Sequence, residues 1–327
     1  MSRFTWHGGG MEAARAHFGT DGAPWIDLST GINPDAWPVP DDLPIDWQRL
    51  PGLAALATLE AAAAAHYGVD PAHVCALPGT EVGLRLAGTL LPEPARFLIP
   101  SYRTHGEVFG TATPILRTEW QGVEDGTTIL ANPNNPDGHI VSRERLLAIM
   151  AARDPGDWLL VDEAFADPDP SASIADLVTD ERPLVIFRSF GKFFGLAGVR
   201  LGFVIGPRSL IDRFRARLGA WPVSAAAIAI GTAAYSDRRW ITAAREQLHS
   251  RALALDIMLR RAGHAPIGEC PLFRLIEVED GRAVFERLAA NHHILTRPFE
   301  HQPRWLRIGL PGNDAELRRL GRALAHG

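Results

Sequence analysis

The stretch Leu184-Val185-Ile186-Phe187-Arg188-Ser189-Phe190-Gly191-Lys192 decides the fold of this 327-residue chain. Its apolar beginning predicts a buried strand over Leu184 to Phe187, and a lysine follows shortly after the strand's end. Arg200 comes eight residues after that lysine. A lysine that attacks an aldehyde must first lose its proton, which nearby cationic charge and partial desolvation both favour. Lys192 is therefore a candidate nucleophile, although a lone lysine in a loop is usually a solvated surface residue.

Similar short apolar runs occur on both sides of this strand and alternate with helical stretches. They are Val74 to Leu77, Phe97 to Ile99, Thr128 to Leu130, Trp158 to Val161 and Gly202 to Ile205. Helices are predicted over Leu53 to His66 and over Arg143 to Arg153, the latter after Ser142 as a suitable N-cap. Strands that alternate with helices predict an α/β fold with a mostly parallel sheet covered on both faces.

The pattern changes beyond about Pro207, where long helices are followed by short strands near Leu272 to Val278 and Trp305 to Ile308. We interpret residues 28–207 as a large domain and residues 208–327 as a small α+β domain. The N-terminal arm, residues 1–27, contains no repeated strand-helix unit. We expect it to pack on the small domain or on a second subunit.

Composition and charge exclude several classes of function. The formal net charge is -5 and no basic run lies along one predicted face, which argues against nucleic acid and membrane surfaces as partners. Cys75 and Cys270 lie far apart without metal-ligand spacing, and no metal site is expected. The longest apolar run, Ala225 to Ala234, is too short to cross a bilayer. With no secretory signature at the N-terminus, we expect a cytoplasmic protein.

Three polar segments follow predicted strands. Asp162 ends the run Leu159-Leu160-Val161, at the position where α/β sheets present ligand-binding groups. The turn 132–138 carries Asn135, and Pro78-Gly79-Thr80-Glu81 leads into a helical stretch whose first N–H groups can bind a phosphate. Each segment taken alone is also compatible with an ordinary turn that has no function.

The order of these segments resembles the fold type I pyridoxal 5′-phosphate (PLP) enzymes, in the branch that contains histidinol-phosphate aminotransferases and threonine-phosphate decarboxylases. The resemblance extends from about His7 to Gly312. It implies that Lys192 forms a Schiff base with PLP, that Asp162 binds the pyridine nitrogen and that Asn135 binds the phenolic oxygen. It further implies a homodimer. The remaining implied cofactor contacts are Tyr102, stacked on the ring, and Thr80, Glu81, Ser189 and Arg200, around the phosphate.

The chain departs from the family pattern at several positions. Phe165 stands where many aminotransferases of this branch have a tyrosine, so one hydrogen bond to the phenolic oxygen is lost. Asp137 replaces the usual threonine, and Gly191 replaces a hydroxyl residue before the lysine. Leu50 replaces a tyrosine that reaches the phosphate across the dimer. The phosphate is therefore expected to be held differently in this chain.

The substrate is predicted from two arginines and the N-terminal segment. Arginine binds carboxylates and phosphates in a bidentate manner, and the resemblance implies that Arg307 binds a carboxylate and Arg297 a phosphate. The segment His7-Gly8-Gly9-Gly10 is similar to the His-Gly-Gly-Asn of threonine-phosphate decarboxylases, and a second substrate segment contains Asn33. These features favour decarboxylation of threonine phosphate for cobalamin biosynthesis. An aminotransferase acting on histidinol phosphate or a related amino acid is the alternative.

Overall fold

The computed structural model describes residues 4–5, 7–122 and 124–325, which form two compact units. The large-sheet unit contains residues 36–135 and 140–243. The small-sheet unit contains residues up to Asp35, Pro136–His139 and the chain from Ala244 onward. No helix among the described residues is both long and apolar enough to span a bilayer.

Ten helices and twelve strands are defined within the described residues. The helices are α1 (Met11–Phe18), α2 (Leu53–Tyr67), α3 (Thr80–Leu90), α4 (Arg143–Ala152), α5 (Phe190–Phe193), α6 (Arg208–Leu218), α7 (Ala225–Ser236), α8 (Arg238–Arg261), α9 (Gly281–His292) and α10 (Asp314–Ala325). The strands are β1 (Ile26–Asp27), β2 (Val74–Leu77), β3 (Ala95–Ile99), β4 (Thr113–Leu116), β5 (Thr127–Ala131), β6 (Trp158–Asp162), β7 (Leu184–Ser189), β8 (Gly202–Ile205), β9 (Phe273–Glu277), β10 (Ile294–Leu295), β11 (Arg297–Pro298) and β12 (Trp305–Gly309).

The large sheet has the strand order β2-β8-β7-β6-β5-β3-β4. Strands β3 to β7 pair in parallel, whereas β8 is antiparallel to both of its neighbours. The predicted α/β class with a mostly parallel sheet is confirmed, and all six predicted strands are present. Strand β4 was not predicted, because it is largely exposed and lacks the continuous apolar run of a strand buried on both faces.

The parallel arrangement places three chain segments at one edge of this sheet. Strands β5, β6 and β7 are neighbours, with Ala131 opposite Asp162 and Asp162 opposite Phe187. The segments that follow them begin at Asn132, Glu163 and Phe190. Polar groups that are far apart in the sequence therefore meet at the carboxyl ends of these strands.

The small-sheet unit combines a three-stranded antiparallel sheet, in the order β11-β12-β9, with the parallel pair β1 and β10. The N-terminal arm belongs to this unit. Its strand β1 places Ile26 beside Ile294, and the Gly309 N–H donates to the Leu28 carbonyl. The aromatic rings of Phe4, Phe18 and Phe285 also pack together, with Phe4 and Phe285 centroids 5.2 Å apart.

The compact units change at residues 35/36 and 243/244, whereas the sequence division was placed at 27/28 and 207/208. Helix α7 packs against α2 in the large-sheet unit, where a Cβ atom on Gly231 would lie 2.7 Å from the Leu59 side chain. The change in sequence pattern near Pro207 marks the point where long helices replace alternating strands and helices. It does not reveal which unit each of these helices packs against. The division into domains 28–207 and 208–327 therefore stays a prediction.

Candidate active site

The carboxyl ends of β5, β6 and β7 bring together four of the residues singled out from the sequence. Asn135, Asp162 and Ser189 are buried there, and Lys192 lies in the short helix α5 directly after β7. The Asp162 carbonyl accepts a hydrogen bond of 2.9 Å from the Asn132 N–H, which ties the loop after β5 to the end of β6. Three adjacent strand ends thus form one polar site.

The Asp162 carboxylate is oriented by two contacts. Its Oδ1 accepts from the Ala164 N–H at 3.0 Å, and its Oδ2 lies 3.1 Å from Nε2 of His105. His105 is fully buried, and its Nδ1 has no hydrogen-bond partner among the described residues. The tautomer with its proton on Nε2 therefore donates to Asp162 and stabilises the carboxylate.

His105 was not identified from the sequence. It lies in the 3-10 helix Arg103–Glu107, three residues after Tyr102. Side chains three residues apart lie on the same side of a 3-10 helix, and the two rings contact each other edge-on with centroids 5.8 Å apart. The spacing Tyr-x-x-His was the available signal, but nothing in the sequence marked this segment as helical.

Tyr102 is held by the Glu81 carboxylate. Its hydroxyl donates to Glu81 Oε2 at 3.0 Å, and Thr104 and Arg85 donate to the same carboxylate. Burial raises the pKa of Tyr102, and the charge of Glu81 adds to that effect, so the phenol keeps its proton. The Glu81 side chain accepts hydrogen bonds and carries negative charge. Only its backbone N–H is thus suited to an anion, and its carboxylate positions Tyr102.

An anion site is formed where α3 begins. The residue before the helix, Gly79, has φ 90° and provides no side-chain cap for the first N–H groups. A Cβ atom on Gly79 would lie 2.6 Å from the Arg200 guanidinium, and one on Gly202 would lie 2.9 Å from the Thr80 nitrogen. The N–H groups at the helix start and a guanidinium are therefore adjacent, which is a suitable arrangement for a phosphate.

Lys192 is the only lysine of the sequence. Its Nζ lies 5.5 Å from the centroid of the Phe165 ring, within the range of a cation–π contact. Phe165 is itself buried. The residue that departs from the family pattern therefore faces the amine with an aromatic surface, where a tyrosine would have added a hydroxyl group.

A buried cluster of charges lies next to these strand ends. The Arg188 guanidinium donates to Glu163 at 2.7 Å and to Asp167 at 2.5 Å, and His66 Nε2 lies 2.8 Å from Asp167. Arg188 also packs over the Tyr67 ring, 4.5 Å from its centroid. Burial alone would raise the pKa of Asp167, but Arg188 and His66 hold it well below its usual range. The cluster therefore links strand β7, which carries Arg188, with the segment after β6, which carries Glu163 and Asp167.

Two buried arginines lie opposite each other in the small-sheet unit. Arg297 of β11 pairs with Arg307 of β12 across the antiparallel ladder. Burial, and then the charge of Arg297, lowers the pKa of Arg307 well below its usual value, whereas Asp27 opposes that shift. Two neighbouring buried guanidinium groups favour a ligand that carries more than one negative charge.

The glycine-rich arm lies in the same unit. The Gly9 N–H donates to Ser29 Oγ at 2.7 Å, and Arg307 donates to the Ser29 carbonyl at 2.8 Å. His7 is exposed, while Asn33 is buried and its Oδ1 accepts from the Asp35 N–H at 3.0 Å. The structure therefore joins the arm to Arg307 through Ser29, a residue that the sequence did not single out.

A mostly parallel sheet with a lysine after β7 and an aspartate at the end of β6 defines the aminotransferase class of folds. Residues 119–324 match the family Aminotransferase class I and II, and the chain belongs to this family. Two curated relatives are threonine-phosphate decarboxylases. The protein from Sinorhizobium sp is 38% identical over 98% of this chain and 97% of its own length, and that from Pseudomonas aeruginosa is 38% identical over 97% and 96%.

Aminotransferases are more distant in sequence. The histidinol-phosphate aminotransferase of Chromohalobacter salexigens is 29% identical over 91% of this chain and 92% of its own. Among solved structures, histidinol-phosphate aminotransferase from Sinorhizobium meliloti, in complex with pyridoxal-5′-phosphate, superposes with a TM-score of 0.82 at 22% identity. That match covers 100% of this chain and 97% of the other. At this identity the superposition supports the fold.

Replacement of Arg188 tests the buried cluster. We expect Arg188→Leu to lower the free energy of unfolding by about 3–5 kcal/mol, because Glu163 and Asp167 would remain buried without a guanidinium partner. The measurement is urea denaturation at neutral pH. Arg282, which pairs with Glu286 at the surface, provides the control, since Arg282→Leu removes only a solvent-exposed ion pair and should leave the free energy of unfolding nearly unchanged. Equal losses of unfolding free energy in the two variants would contradict the stabilising role of the buried cluster.

Proposed function

We propose that this chain is a PLP-dependent decarboxylase that converts L-threonine O-3-phosphate into (R)-1-aminopropan-2-yl phosphate for cobalamin biosynthesis. The observation that carries the proposal is 38% identity, over nearly the full length of both chains, to two threonine-phosphate decarboxylases. The buried arginines 297 and 307 support it, because the substrate carries a phosphate and a carboxylate.

The residues at the strand ends fit PLP. The backbone at the start of α3, with Arg200 against it, suits the phosphate, and the oriented carboxylate of Asp162 suits a protonated ring nitrogen. Lys192 is the amine that binds the aldehyde, Tyr102 provides a ring to stack on, and Asn135 is the donor to the phenolic oxygen. Thr80 and Ser189 complete the donors around the phosphate, and the N–H of Glu81 joins them.

The Asp162 carboxylate, oriented by His105, is the group suited to the ring nitrogen of the cofactor. When bound, PLP acts as an electron sink for the electron pair that departing carbon dioxide leaves at Cα. A protonated ring nitrogen strengthens that sink, and the negative charge of Asp162 favours this proton. His105 holds the carboxylate in place by its hydrogen bond. Both residues are buried, so water does not compete for their contacts.

The substrate is held at its two anionic ends. Arg307 binds the carboxylate and Arg297 binds the phosphate, with the arm residues His7, Gly8 and Gly9 and the Asn33 segment as further contacts. Holding both ends would fix the orientation of the substrate's bonds at Cα, and this orientation would select the bond that breaks. After carbon dioxide leaves, the Lys192 amine is the acid that returns a proton to Cα.

The first experiment measures the reaction itself. PLP-loaded enzyme given L-threonine O-3-phosphate should release one carbon dioxide per substrate consumed, without any keto acid, because decarboxylation needs no amino-group acceptor. Released carbon dioxide and phosphorylated amine are quantified together. A reaction that requires 2-oxoglutarate and releases no carbon dioxide would instead establish the alternative, an aminotransferase, which would use the same residues.

The second experiment uses the single lysine. Borohydride reduction of the PLP-loaded enzyme should attach a pyridoxyl group to the peptide that contains Lys192, since the N-terminal amine is the only other primary amine in the chain. Mass spectrometry of the digested protein locates the label. Lys192→Ala should lose the label and the visible absorbance of the bound cofactor, whereas the surface variant Arg282→Ala should retain both. Labelling of Lys192→Ala at wild-type levels would refute this role.

We further propose that the enzyme is a cytoplasmic homodimer. Trp47, Leu50 and Leu53 are large apolar side chains of the large-sheet unit that are 76%, 66% and 82% exposed. Leu50 lines a groove between α2, α7 and residues 43–52, and Trp47 and Leu53 lie three residues before and after it in the chain. Several large apolar side chains exposed in one short segment are typical of a surface that another subunit covers. A second copy of the chain is the partner that the family implies.

Substitution on this face tests self-association. Light scattering after size exclusion should give twice the mass of the chain for the wild type, and Trp47→Glu with Leu53→Glu should shift it towards the monomer, because burial of two carboxylates disfavours the interface. Leu253, which is 58% exposed on α8, provides the control, and Leu253→Glu should remain dimeric. A monomeric wild type would refute the proposal.

A further inference from the structure

Ser29 makes four hydrogen bonds to three residues within the small-sheet unit. Its carbonyl accepts from the Arg307 guanidinium at 2.8 Å, and its hydroxyl accepts from the Gly9 N–H at 2.7 Å. The same hydroxyl donates to Asp27 Oδ1 at 2.6 Å, which also accepts from the Ser29 N–H at 2.9 Å. One buried residue therefore joins the N-terminal arm, an arginine and a carboxylate.

The backbone around Ser29 is held on both sides. The Leu28 N–H donates to the Leu295 carbonyl of β10, and the Gly309 N–H at the end of β12 donates to the Leu28 carbonyl. A Cβ atom on Gly309 would lie 2.3 Å from the Thr30 carbonyl oxygen. Strands β10 and β12 thus fix the backbone beside Ser29, and the arm contacts the carbonyl and hydroxyl of Ser29 there.

Two glycines of the arm, Gly8 and Gly9, are required by this contact. A Cβ atom on Gly8 would lie 2.3 Å from the Ser29 carbonyl oxygen, and Gly9 has φ 85°, a conformation that side chains disfavour. The arm therefore approaches Ser29 through its bare backbone. This contact holds Gly8 and Gly9 against Ser29, whose carbonyl accepts from Arg307.

Asp27 completes the arrangement. Its carboxylate fixes the direction in which the Ser29 hydroxyl donates, which leaves the hydroxyl oxygen free to accept from Gly9. It is also the carboxylate whose charge opposes the desolvation of Arg307. The arm and the guanidinium are therefore oriented by the same Asp27–Ser29 pair.

We propose that Ser29 is a positioning residue, supported by Asp27, that fixes the N-terminal arm relative to Arg307 so that both bind one anionic substrate. This inference rests on the proposed function for the identity of that substrate. Ser29 itself does not touch the reacting atoms. Its effect is expected on substrate binding, and the cofactor site and the chemical step should be unaffected.

The test combines hydrogen exchange with kinetics on the PLP-loaded enzyme. Ser29→Ala keeps the carbonyl contact to Arg307 and removes the hydroxyl, so exchange in peptides that contain Gly9 should become about tenfold faster. The KM for threonine phosphate should rise about tenfold, while kcat and the absorbance of the bound cofactor stay within about twofold. Gly8→Ala, which displaces the arm without changing Ser29, should reproduce this pattern.

Three variants provide the comparison. Asp27→Asn retains an oxygen that accepts from the Ser29 hydroxyl and should keep the slow exchange of the arm, whereas Asp27→Ala should lose it. Ser250→Ala removes an exposed hydroxyl on α8 and should behave as the wild type. Unchanged arm exchange in Ser29→Ala, or faster exchange with an unchanged KM, would overturn the inference. So would a fall in kcat of the same size as the rise in KM.

Inorganic phosphate separates this inference from the proposed function. Phosphate should slow exchange of the arm in the wild type and have a clearly smaller effect in Ser29→Ala, whether or not threonine phosphate is decarboxylated. Equal effects in the two proteins would overturn the role of Ser29. Absence of decarboxylation in the wild type, with this phosphate difference intact, would refute the substrate alone.

Discussion

The buried guanidinium of Arg188 is the interaction on which the large-sheet site depends. It lies between Glu163, the residue after Asp162, and Asp167, and it is adjacent in the chain to Ser189. Two carboxylates removed from water are costly unless a cation pairs with them, so the three groups must stay together. Because they belong to two neighbouring strand ends, their pairing also fixes the places from which Asp162 and Lys192 project. This charge pairing thus stabilises the strand ends that carry the candidate site.

The small-sheet unit also buries two like charges, but here the charges are positive. Arg297 and Arg307 are buried on paired strands, and the charge of Asp27 opposes the lowering of the Arg307 pKa by burial. Such a pair is suited to a ligand that carries its own negative charges. The N-terminal arm is held next to this pair through Ser29. The position of the arm and that of the Arg307 guanidinium therefore depend on one small group of contacts.

The parts of the site that could be predicted were those on regular strands. Asp162 ends one buried strand and Lys192 closely follows another, and such strands appear in a sequence as continuous apolar runs with clear ends. His105 and the carboxylate role of Glu81 were missed, because both depend on how a 3-10 helix turns beside α3. The exposed strand β4 was missed because it carries no apolar run.

The sequence by itself determined the α/β class and the positions of eight strands, since burial and strand periodicity are local properties of the chain. Only the tertiary structure decided which polar groups meet. The hydrogen bonds of Ser29 join residues 9, 27 and 307, and the contact between His105 and Asp162 spans 57 residues. Such contacts depend on strand order and on close backbone approach, and neither leaves a periodic signal in the sequence.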